Sequence, residues 1–362
     1  MKKISTLRFL FAAAFMIATA SAWTQGITTP RTPSPAATVS QTIGISTVTV
    51  NYSRPGVKGR VVWGDLVPYG WNVQGFGNNK SAPWRAGANE NTVIEFTHEA
   101  KVEGHPVPPG RYGLFFVINN DNTGEVILSK DNRSWGSFFY EPDHDLVRTK
   151  LQLRDHAMTE LLTYDFINLT KTSAELVLNW EKKQFPVKIE FAVDDIVMAN
   201  AAEELKGVTG FNWQGFSTAA NYSLQNKINT DLGVKWADQA ITANRNFNTL
   251  SVKAGLLELQ GKKPEAEELR SEAVTLGTEA DLNTYGYQLL GQNEFDKAIG
   301  IFKLNTDKHP ESANAWDSLG EGYALKGDKE NAIKAFKKSL TLDPPPGTKA
   351  NSEKYLKRLG EM

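Results

Sequence analysis

Hydrophobic and polar residues alternate one by one along several segments between residues 39 and 193. In the clearest segment, apolar residues stand at positions 185, 187, 189 and 191, with proline or a charged residue between them. Successive side chains of a β-strand point to opposite faces of a sheet, so each segment predicts a strand with one buried face. Further strands are predicted at residues 47–52, 92–97, 112–119, 125–129, 146–153, 161–169 and 174–180.

These short strands are separated by glycine, proline and asparagine, and no helical period lies between them. The pattern predicts an all-β N-terminal domain over residues 39–193, an antiparallel sandwich or a jelly roll. The choice between the two topologies stays open. The charged segment Glu181-Lys182-Lys183 interrupts the last two apolar runs and predicts a hairpin turn between them.

After residue 195 the apolar period becomes helical, and the pattern recurs every 34 positions. The matching pairs are Leu282 and Trp316, Tyr285 and Leu319, Gly286 and Gly320, Leu289 and Tyr323, Ala298 and Ala332, Phe302 and Phe336, and Pro310 and Pro344. This spacing resembles the tetratricopeptide repeat. We therefore predict an all-α tetratricopeptide-repeat solenoid over residues 196–362, with two well-formed repeats, one or two degenerate ones and a capping helix.

Such solenoids present a concave face, built from the first helix of each repeat, to a peptide or protein segment. Five polar or aromatic residues avoid the consensus core positions and are the candidate partner contacts: Asn283, Tyr287, Asn314, Asp317 and Glu321. The alternative is that they are ordinary solvated side chains. The expected partner is a protein or peptide segment.

The N-terminal residues 1–22 combine a basic start, an apolar run over residues 9–18 and the small-residue sequence Ala20-Ser21-Ala22. This combination predicts a secretory signal peptide cleaved after Ala22. The apolar run is too short to span a bilayer, so we expect no transmembrane anchor. Residues 23–38 are predicted to form a Pro/Thr-rich linker. The chain is expected to be exported, which in a bacterium means periplasmic or extracellular.

Composition narrows the available chemistry. The 362 residues include 40 basic and 41 acidic side chains, a net charge of −1, and no cysteine. A near-neutral chain has no general attraction to nucleic acid, and none is expected as a partner. The absence of cysteine excludes disulfides and thiolate chemistry. His144 lies in an acidic turn, where a cation site and a solvated turn are the alternatives; we favour the turn and expect no metal and no cofactor.

Three loop segments carry cations, aromatic rings and glycine together: Arg54–Arg60, Leu66–Gly70 and Trp84–Glu90. Together they resemble the hallmark motifs of domain of unknown function 2911, a family of secreted bacterial proteins. The resemblance covers about residues 36–191 and implies an envelope protein, without an activity. The Asn/Gly-rich insert over residues 71–83 departs from the family pattern.

If the loops converge, their side chains form a site for a small anionic or glycan ligand, because arginine suits carboxylates and phosphates and aromatic faces suit sugars. The candidate residues are Arg54, Lys58, Arg60, Trp63, Tyr69, Trp84, Arg85, Asn89, Glu90 and Arg148. The alternative is that Arg85 or Arg60 pairs with Glu90 or Asp65 and ties the loops together, while the glycines only turn the chain. The sequence favours a non-enzymatic binding scaffold. The alternative function is an enzyme acting on a glycan or anionic metabolite through Arg54, Arg60, Arg85 and Glu90.

Overall fold

The computed structural model describes residues 33–361. The predicted signal peptide and most of the predicted linker lie outside these residues. The strands of the N-terminal half are β1 (Ala36–Ile43), β2 (Ser46–Ser53), β3 (Asn72–Val73), β4 (Ser81–Ala82), β5 (Val93–Phe96), β6 (Ala100–Val102), β7 (His105–Val107), β8 (Gly110–Ile118), β9 (Thr123–Ser129), β10 (Asp145–Gln152), β11 (Arg154–Ile167) and β12 (Ser173–Phe191).

The strands form two main antiparallel sheets that share one core. Six strands are ordered β1-β2-β5-β8-β9-β10, and four are ordered β11-β12-β6-β7. Val50 and Phe116 of the first sheet belong to the same buried cluster as Leu178 and Val187 of the second. The N-terminal half is therefore an antiparallel β-sandwich, as the alternating pattern predicted.

The predicted hairpin at residues 181–183 is wrong. β12 runs without a break from Ser173 to Phe191, and its pairing with β11 shifts register around Thr159, which faces Glu181. Glu181 has a left-handed backbone with a φ of 51°. An extra residue in one strand makes a bulge that bends the strand and leaves its direction unchanged. The break in alternation at Glu181 therefore lies opposite a bulged stretch of β11, where the extra residues stand on either side of Thr159.

Three further features differ from the sequence expectation. β1 begins at Ala36, so residues 36–38 pair with β2 and are not linker. A short hairpin of β6 and β7, absent from the predicted strands, extends the second sheet. The insert over residues 71–83 forms its own small hairpin of β3 and β4, with Asn72 paired to Ala82.

The C-terminal half is helical throughout. Its helices are α1 (Val193–Glu204), α2 (Trp213–Asn226), α3 (Thr230–Ala243), α4 (Phe247–Leu259), α5 (Lys263–Leu276), α6 (Glu279–Gly291), α7 (Phe295–Lys308), α8 (Ala313–Lys326), α9 (Lys329–Leu340) and α10 (Pro346–Arg358). Helices α2 to α9 pack as four successive hairpins, and α10 packs on α8 and α9. No helix among the described residues is both long and apolar enough to cross a membrane.

Helix α1 joins the two halves. Val193 at its first position is buried in the sandwich core, and a side chain on Gly44 would overlap it. Asp194 accepts a hydrogen bond of 2.8 Å from the Tyr222 hydroxyl on α2 and pairs with Lys171 at 3.2 Å. The first helix is thus anchored on both sides of the boundary.

Candidate functional site

One open cavity of about 620 Å³ lies where the three sequence motifs of the β half come together. Its lining comes from residues 55–60, 66–74 and 82–89, and from four residues elsewhere in the β half. A volume of this size falls within the range of about 300–1,000 Å³ that small-molecule sites occupy. The loops therefore enclose space for a guest molecule.

The charged side chains among the described residues that line the cavity are all positive. Lys58, Arg60 and Arg85 contribute three cations, and no Asp or Glu is among the described residues that line the cavity. Cationic walls without carboxylates raise the local concentration of anions. The cavity therefore favours a negatively charged guest.

Arg85 is the most constrained of the three cations. Its guanidinium is half-buried, donates a hydrogen bond of 2.9 Å from Nη1 to the Asn89 carbonyl oxygen, and lies 5.0 Å from the Phe138 ring centre. Burial lowers its pKa, and in the described part of the chain no carboxylate lies within ion-pair distance. A partly desolvated charge without a counter-charge is unfavourable, and a bound anion would relieve that cost.

Gly136 makes room for Arg85. A side chain on Gly136 would overlap the guanidinium, and its φ of 66° is a left-handed conformation that glycine adopts without strain. The Trp135-Gly136 pair thus contributes to the site by placing a cation, and sequence reasoning did not assign it that role.

The other two cations lie on the first motif loop. Arg60 donates from Nε to the Val57 carbonyl oxygen at 3.1 Å and from Nη2 to that of Gly56 at 2.5 Å. The backbone amide of Lys58 donates to Glu160 Oε1 at 2.9 Å, while its exposed ammonium has no ion-pair partner among residues 33–361. The loop backbone is therefore held in place and its cationic ends remain available.

Tryptophans form one wall of the cavity. Trp84 and Trp180 both line it and stack at 5.8 Å between ring centres, with 15° between their planes. Trp63 meets the two rings edge-on at 5.7 and 5.6 Å. The indole N–H groups of Trp63 and Trp180 are buried without a hydrogen-bond partner among the described residues. Buried donors are normally satisfied, so these two are notable at the edge of a cavity.

Five of the ten candidate ligand residues line the cavity: Lys58, Arg60, Trp84, Arg85 and Asn89. Arg54 does not, because its guanidinium donates to the Leu162 carbonyl oxygen at 2.9 Å and to Thr163 Oγ1 at 2.6 Å on β11. It fastens the first motif to the second sheet.

Arg148 also lies outside the lining. It pairs with Asp145 at 2.6 Å, donates to the Tyr140 hydroxyl at 3.0 Å, and covers the Trp71 ring at 4.7 Å. Burial and the neighbouring Asp145 carboxylate raise the pKa of Tyr140. This cluster anchors the start of the insert, and its cation is already neutralised.

The remaining three candidates are not among the residues that line the cavity. Trp63 packs against Trp84 and Trp180 in the aromatic wall. Tyr69 is 45% exposed and packs against Gly64, and Glu90 is exposed. Sequence reasoning missed Asn72, Gln74, Ser137 and Trp180, which do line the cavity. The Asn/Gly-rich composition of the insert was the signal available for Asn72 and Gln74.

The repeat half contains a groove of about 590 Å³ between the first helices α2, α4 and α6. Four carboxylates and two cations line it: Glu258, Glu267, Asp281, Glu294, Arg270 and Lys297. Arg270 pairs with Glu258 at 2.6 Å and with Glu267 at 3.1 Å. The groove thus has an acidic excess and lies mainly in the degenerate repeats.

None of the five candidate partner contacts lines this groove. Asp317 is only 5% exposed and accepts hydrogen bonds from Asn351 and Ser352 of α10. Tyr287 donates to Glu321 at 3.1 Å. Three of the predicted contacts therefore connect helices to one another.

Asn283 and Asn314 complete the predicted set. Asn283 Oδ1 is buried without a hydrogen-bond partner in the described residues, and Asn314 is exposed and donates to Glu279 at 3.5 Å. Asn314 is the member of the set that faces solvent without a close internal bond.

His144 pairs with Asp131 at 2.7 Å, and this carboxylate raises the pKa of the imidazole. Within the part of the chain that the structure describes, no group of three or more His, Asp or Glu side chains is arranged to hold a metal ion. His144 therefore belongs to a surface ion pair.

Comparison with known proteins finds one family match in each half of the chain. Residues 34–189 match the family described as protein of unknown function (DUF2911), and residues 313–346 match the tetratricopeptide repeat family. Both resemblances inferred from the sequence motifs are confirmed.

Two curated relatives match the repeat half. Superkiller protein 3 of Schizosaccharomyces pombe is 42% identical over 55 residues, which cover 15% of this chain and 4% of that protein. The chloroplastic tetratricopeptide repeat domain-containing protein PYG7 of Arabidopsis thaliana is 26% identical over 121 residues, covering 32% and 40% respectively. The chain thus spans less than half the length of either relative.

Similar solved structures include MamA, at 18% identity and a TM-score of 0.29, covering 42% of this chain and 89% of that one. YrrB, titled a TPR protein with an unusual peptide-binding site, is 19% identical with a TM-score of 0.28, covering 44% and 84%. The protein is built from an N-terminal DUF2911 domain followed by C-terminal tetratricopeptide repeats.

Proposed function

We propose that this protein is an exported binding scaffold, in which the β half binds a small anionic ligand and the repeat half binds a protein segment. The tetratricopeptide repeats support a role in protein–protein interaction. Export rests on the signal-like residues 1–22. The two binding functions rest on separate surfaces and are tested separately.

The ligand proposal rests on one observation: the charged side chains among the described residues that line the cavity are all cations. Lys58, Arg60 and Arg85 meet there without a carboxylate among the described lining residues. Arg148, which lies outside the lining, is by contrast paired with Asp145. Arg85 is half-buried and has no carboxylate partner within residues 33–361, which is better explained by an anion that arrives from solution.

The same lining favours binding over catalysis. It offers no carboxylate and no imidazole for general acid–base chemistry within the described residues. The enzyme alternative required Arg54, Arg60, Arg85 and Glu90 to converge, and of these only Arg60 and Arg85 line the cavity. We therefore keep binding as the proposed function of the β half.

The repeat half supplies the partner surface. The groove of about 590 Å³ is lined mainly by α2, α4 and α6, with side chains from α5 and α7, and its lining has two more carboxylates than cations. An acidic groove attracts a basic segment and steers its approach. The proposed protein partner therefore presents lysine or arginine in the bound stretch.

The ligand proposal is tested by isothermal calorimetry of the purified full chain with pyrophosphate and malonate as probes. Saturable binding is expected, weakened about tenfold or more in Arg85→Met, because a charge-assisted hydrogen bond is lost. The matched control is Arg111→Met, which removes an exposed arginine on β8 outside the cavity.

Two outcomes contradict the proposal. The first is the absence of saturable binding for both anions. The second is unchanged binding in Arg85→Met together with a lower melting temperature, which is the result expected if Arg85 only holds the loops together.

A further inference from the structure

The cavity lining contains hydrogen-bond acceptors as well as cations. The amide groups of Asn72 and Gln74 donate inside the protein, to the Gly70 carbonyl oxygen at 3.1 Å and to Ser137 Oγ at 2.6 Å. Asn89 donates in the same way to the Ser34 carbonyl oxygen at 3.4 Å. The NH₂ group of each of these three side chains therefore donates a hydrogen bond within the protein.

The carbonyl oxygens of these three side chains have no donor among the described residues. An amide oxygen accepts and never donates, so it needs an N–H or O–H group from elsewhere. A simple inorganic anion such as phosphate offers mainly acceptors to these oxygens. A ligand with several hydroxyl groups offers the donors that they lack.

The aromatic wall adds a second requirement. Trp84 lines the cavity, and one face of its ring is covered by Trp180. Trp180 is itself 1% exposed, lines the cavity, and keeps an indole N–H without a partner in the described residues. A ligand in the cavity therefore meets the flat apolar ring of Trp84, which is backed by the buried Trp180.

We propose that the ligand is a carbohydrate that carries an anionic group, a sugar acid or a sugar phosphate. Its anion binds Arg85, Arg60 and Lys58, its hydroxyl groups donate to Asn72, Gln74 and Asn89, and its ring packs on Trp84. This inference rests on the proposed function and goes further, because it assigns the uncharged part of the ligand to named residues.

Calorimetry of the full chain with five probes tests the inference: D-glucuronate, glucose 6-phosphate, glucose, inorganic phosphate and adenosine monophosphate. At least one acidic sugar is expected to bind about tenfold or more tightly than both glucose and inorganic phosphate, since it alone fills both halves of the site. Comparison of glucuronate with glucose 6-phosphate identifies the anionic group as a carboxylate or a phosphate.

The variant Gln74→Leu separates the sugar contacts from the anion contacts. It removes one acceptor and is expected to weaken the preferred acidic sugar about fivefold or more while leaving inorganic phosphate unchanged. The matched control is Gln41→Leu on β1, which replaces a partly buried glutamine outside the cavity and is expected to leave both affinities unchanged.

The outcomes distinguish this inference from the proposed function. If phosphate binds in an Arg85-dependent way and neither acidic sugar binds more tightly, the carbohydrate inference is overturned and the anion site stands. If adenosine monophosphate binds more tightly than both acidic sugars, the ligand is a nucleotide and the inference is also overturned. If no anion binds, both proposals fail together.

Discussion

Tyr287 and Glu321 stand 34 positions apart and are joined by a hydrogen bond of 3.1 Å from the tyrosine hydroxyl to Oε2. The other carboxylate oxygen, Oε1, accepts a hydrogen bond of 3.1 Å from Tyr355, a further 34 positions along. One carboxylate thus links α6, α8 and α10. Helix α10 thus occupies the place of the first helix of a next repeat.

These two hydrogen bonds predict that Glu321→Ala lowers the stability of the C-terminal helices of the solenoid. The partly buried Tyr355 hydroxyl loses its acceptor and Tyr287 keeps only its 3.3 Å bond to Ser318, at a cost of about 1–3 kcal/mol in the free energy of unfolding. Urea unfolding followed by far-UV circular dichroism measures the change. Lys354→Ala, at an exposed position on α10, is the control, and equal stability of the two variants would contradict the proposed link.

Asp317 predicts a pH dependence. Burial raises the pKa of its carboxyl group in the folded chain, although Ser352 and Asn351 donate to it. A raised folded pKa favours the protonated form, so its stabilisation is complete below the unfolded pKa of about 3.9 and is lost as the pH rises through the folded value.

The variant Asp317→Asn removes this titration while keeping an acceptor for Ser352. Between pH 4 and pH 7, the urea midpoint of the wild type is expected to fall relative to that of the variant as the pH rises. Asp307→Asn, on an exposed position of α7, provides the control for a lost surface charge. Parallel pH profiles of wild type and Asp317→Asn would show that Asp317 does not titrate as described.

Gly286 and Gly300 predict opposite effects of the same substitution. A Cβ on Gly286 would overlap the Phe302 ring, whereas a Cβ on Gly300 has nothing within 4 Å. Gly286→Ala is expected to cost about 1–3 kcal/mol through overpacking. Gly300→Ala is expected to stabilise α7 by about 0.5–1 kcal/mol. Chemical denaturation measures both, and a loss of stability in Gly300→Ala would refute the steric explanation.

A substitution at Gly136 is expected to weaken anion binding although it changes no charge. A methyl group there displaces the Arg85 guanidinium, so Gly136→Ala is expected to weaken pyrophosphate binding about as much as Arg85→Met does. Gly104→Ala is the control, because Gly104 also has a left-handed φ, 81°, and open space around its Cα. If both glycine variants bind pyrophosphate like the wild type, Gly136 has no part in placing Arg85.

Periodicity along the chain was enough to predict the type of each half. Alternation at residues 185–191 and the 34-residue spacing of Gly286 and Gly320 both express which side of a backbone element is buried. That information is local. The meaning of the break at Glu181 was not local, because a bulge and a turn differ in whether the next residues continue along the same partner strand, here β11.

In the candidate site, too, the local sequence predicted the residue types but not their contacts. Arg85 and Arg148 are both arginines in sequence motifs of the β half, and both were predicted to contact the ligand. Arg148 pairs with the Asp145 carboxylate three positions before it, whereas the fold places Arg85 half-buried over Phe138 with no carboxylate partner among the described residues. The surroundings of Arg85 depend on Gly136 and Phe138, which are distant in the sequence, and no period along the chain records that approach.

The sequence by itself determined the two architectures and the loops that carry the chemistry, since burial patterns and motif composition are properties of short segments. Tertiary structure alone decided which side chains meet. It placed Gln74 and Trp180 at the cavity and enclosed Asp317 beneath α10. The physical reason is that a side chain's charge and hydrogen bonds depend on whatever residues the folded chain brings within a few ångströms of it.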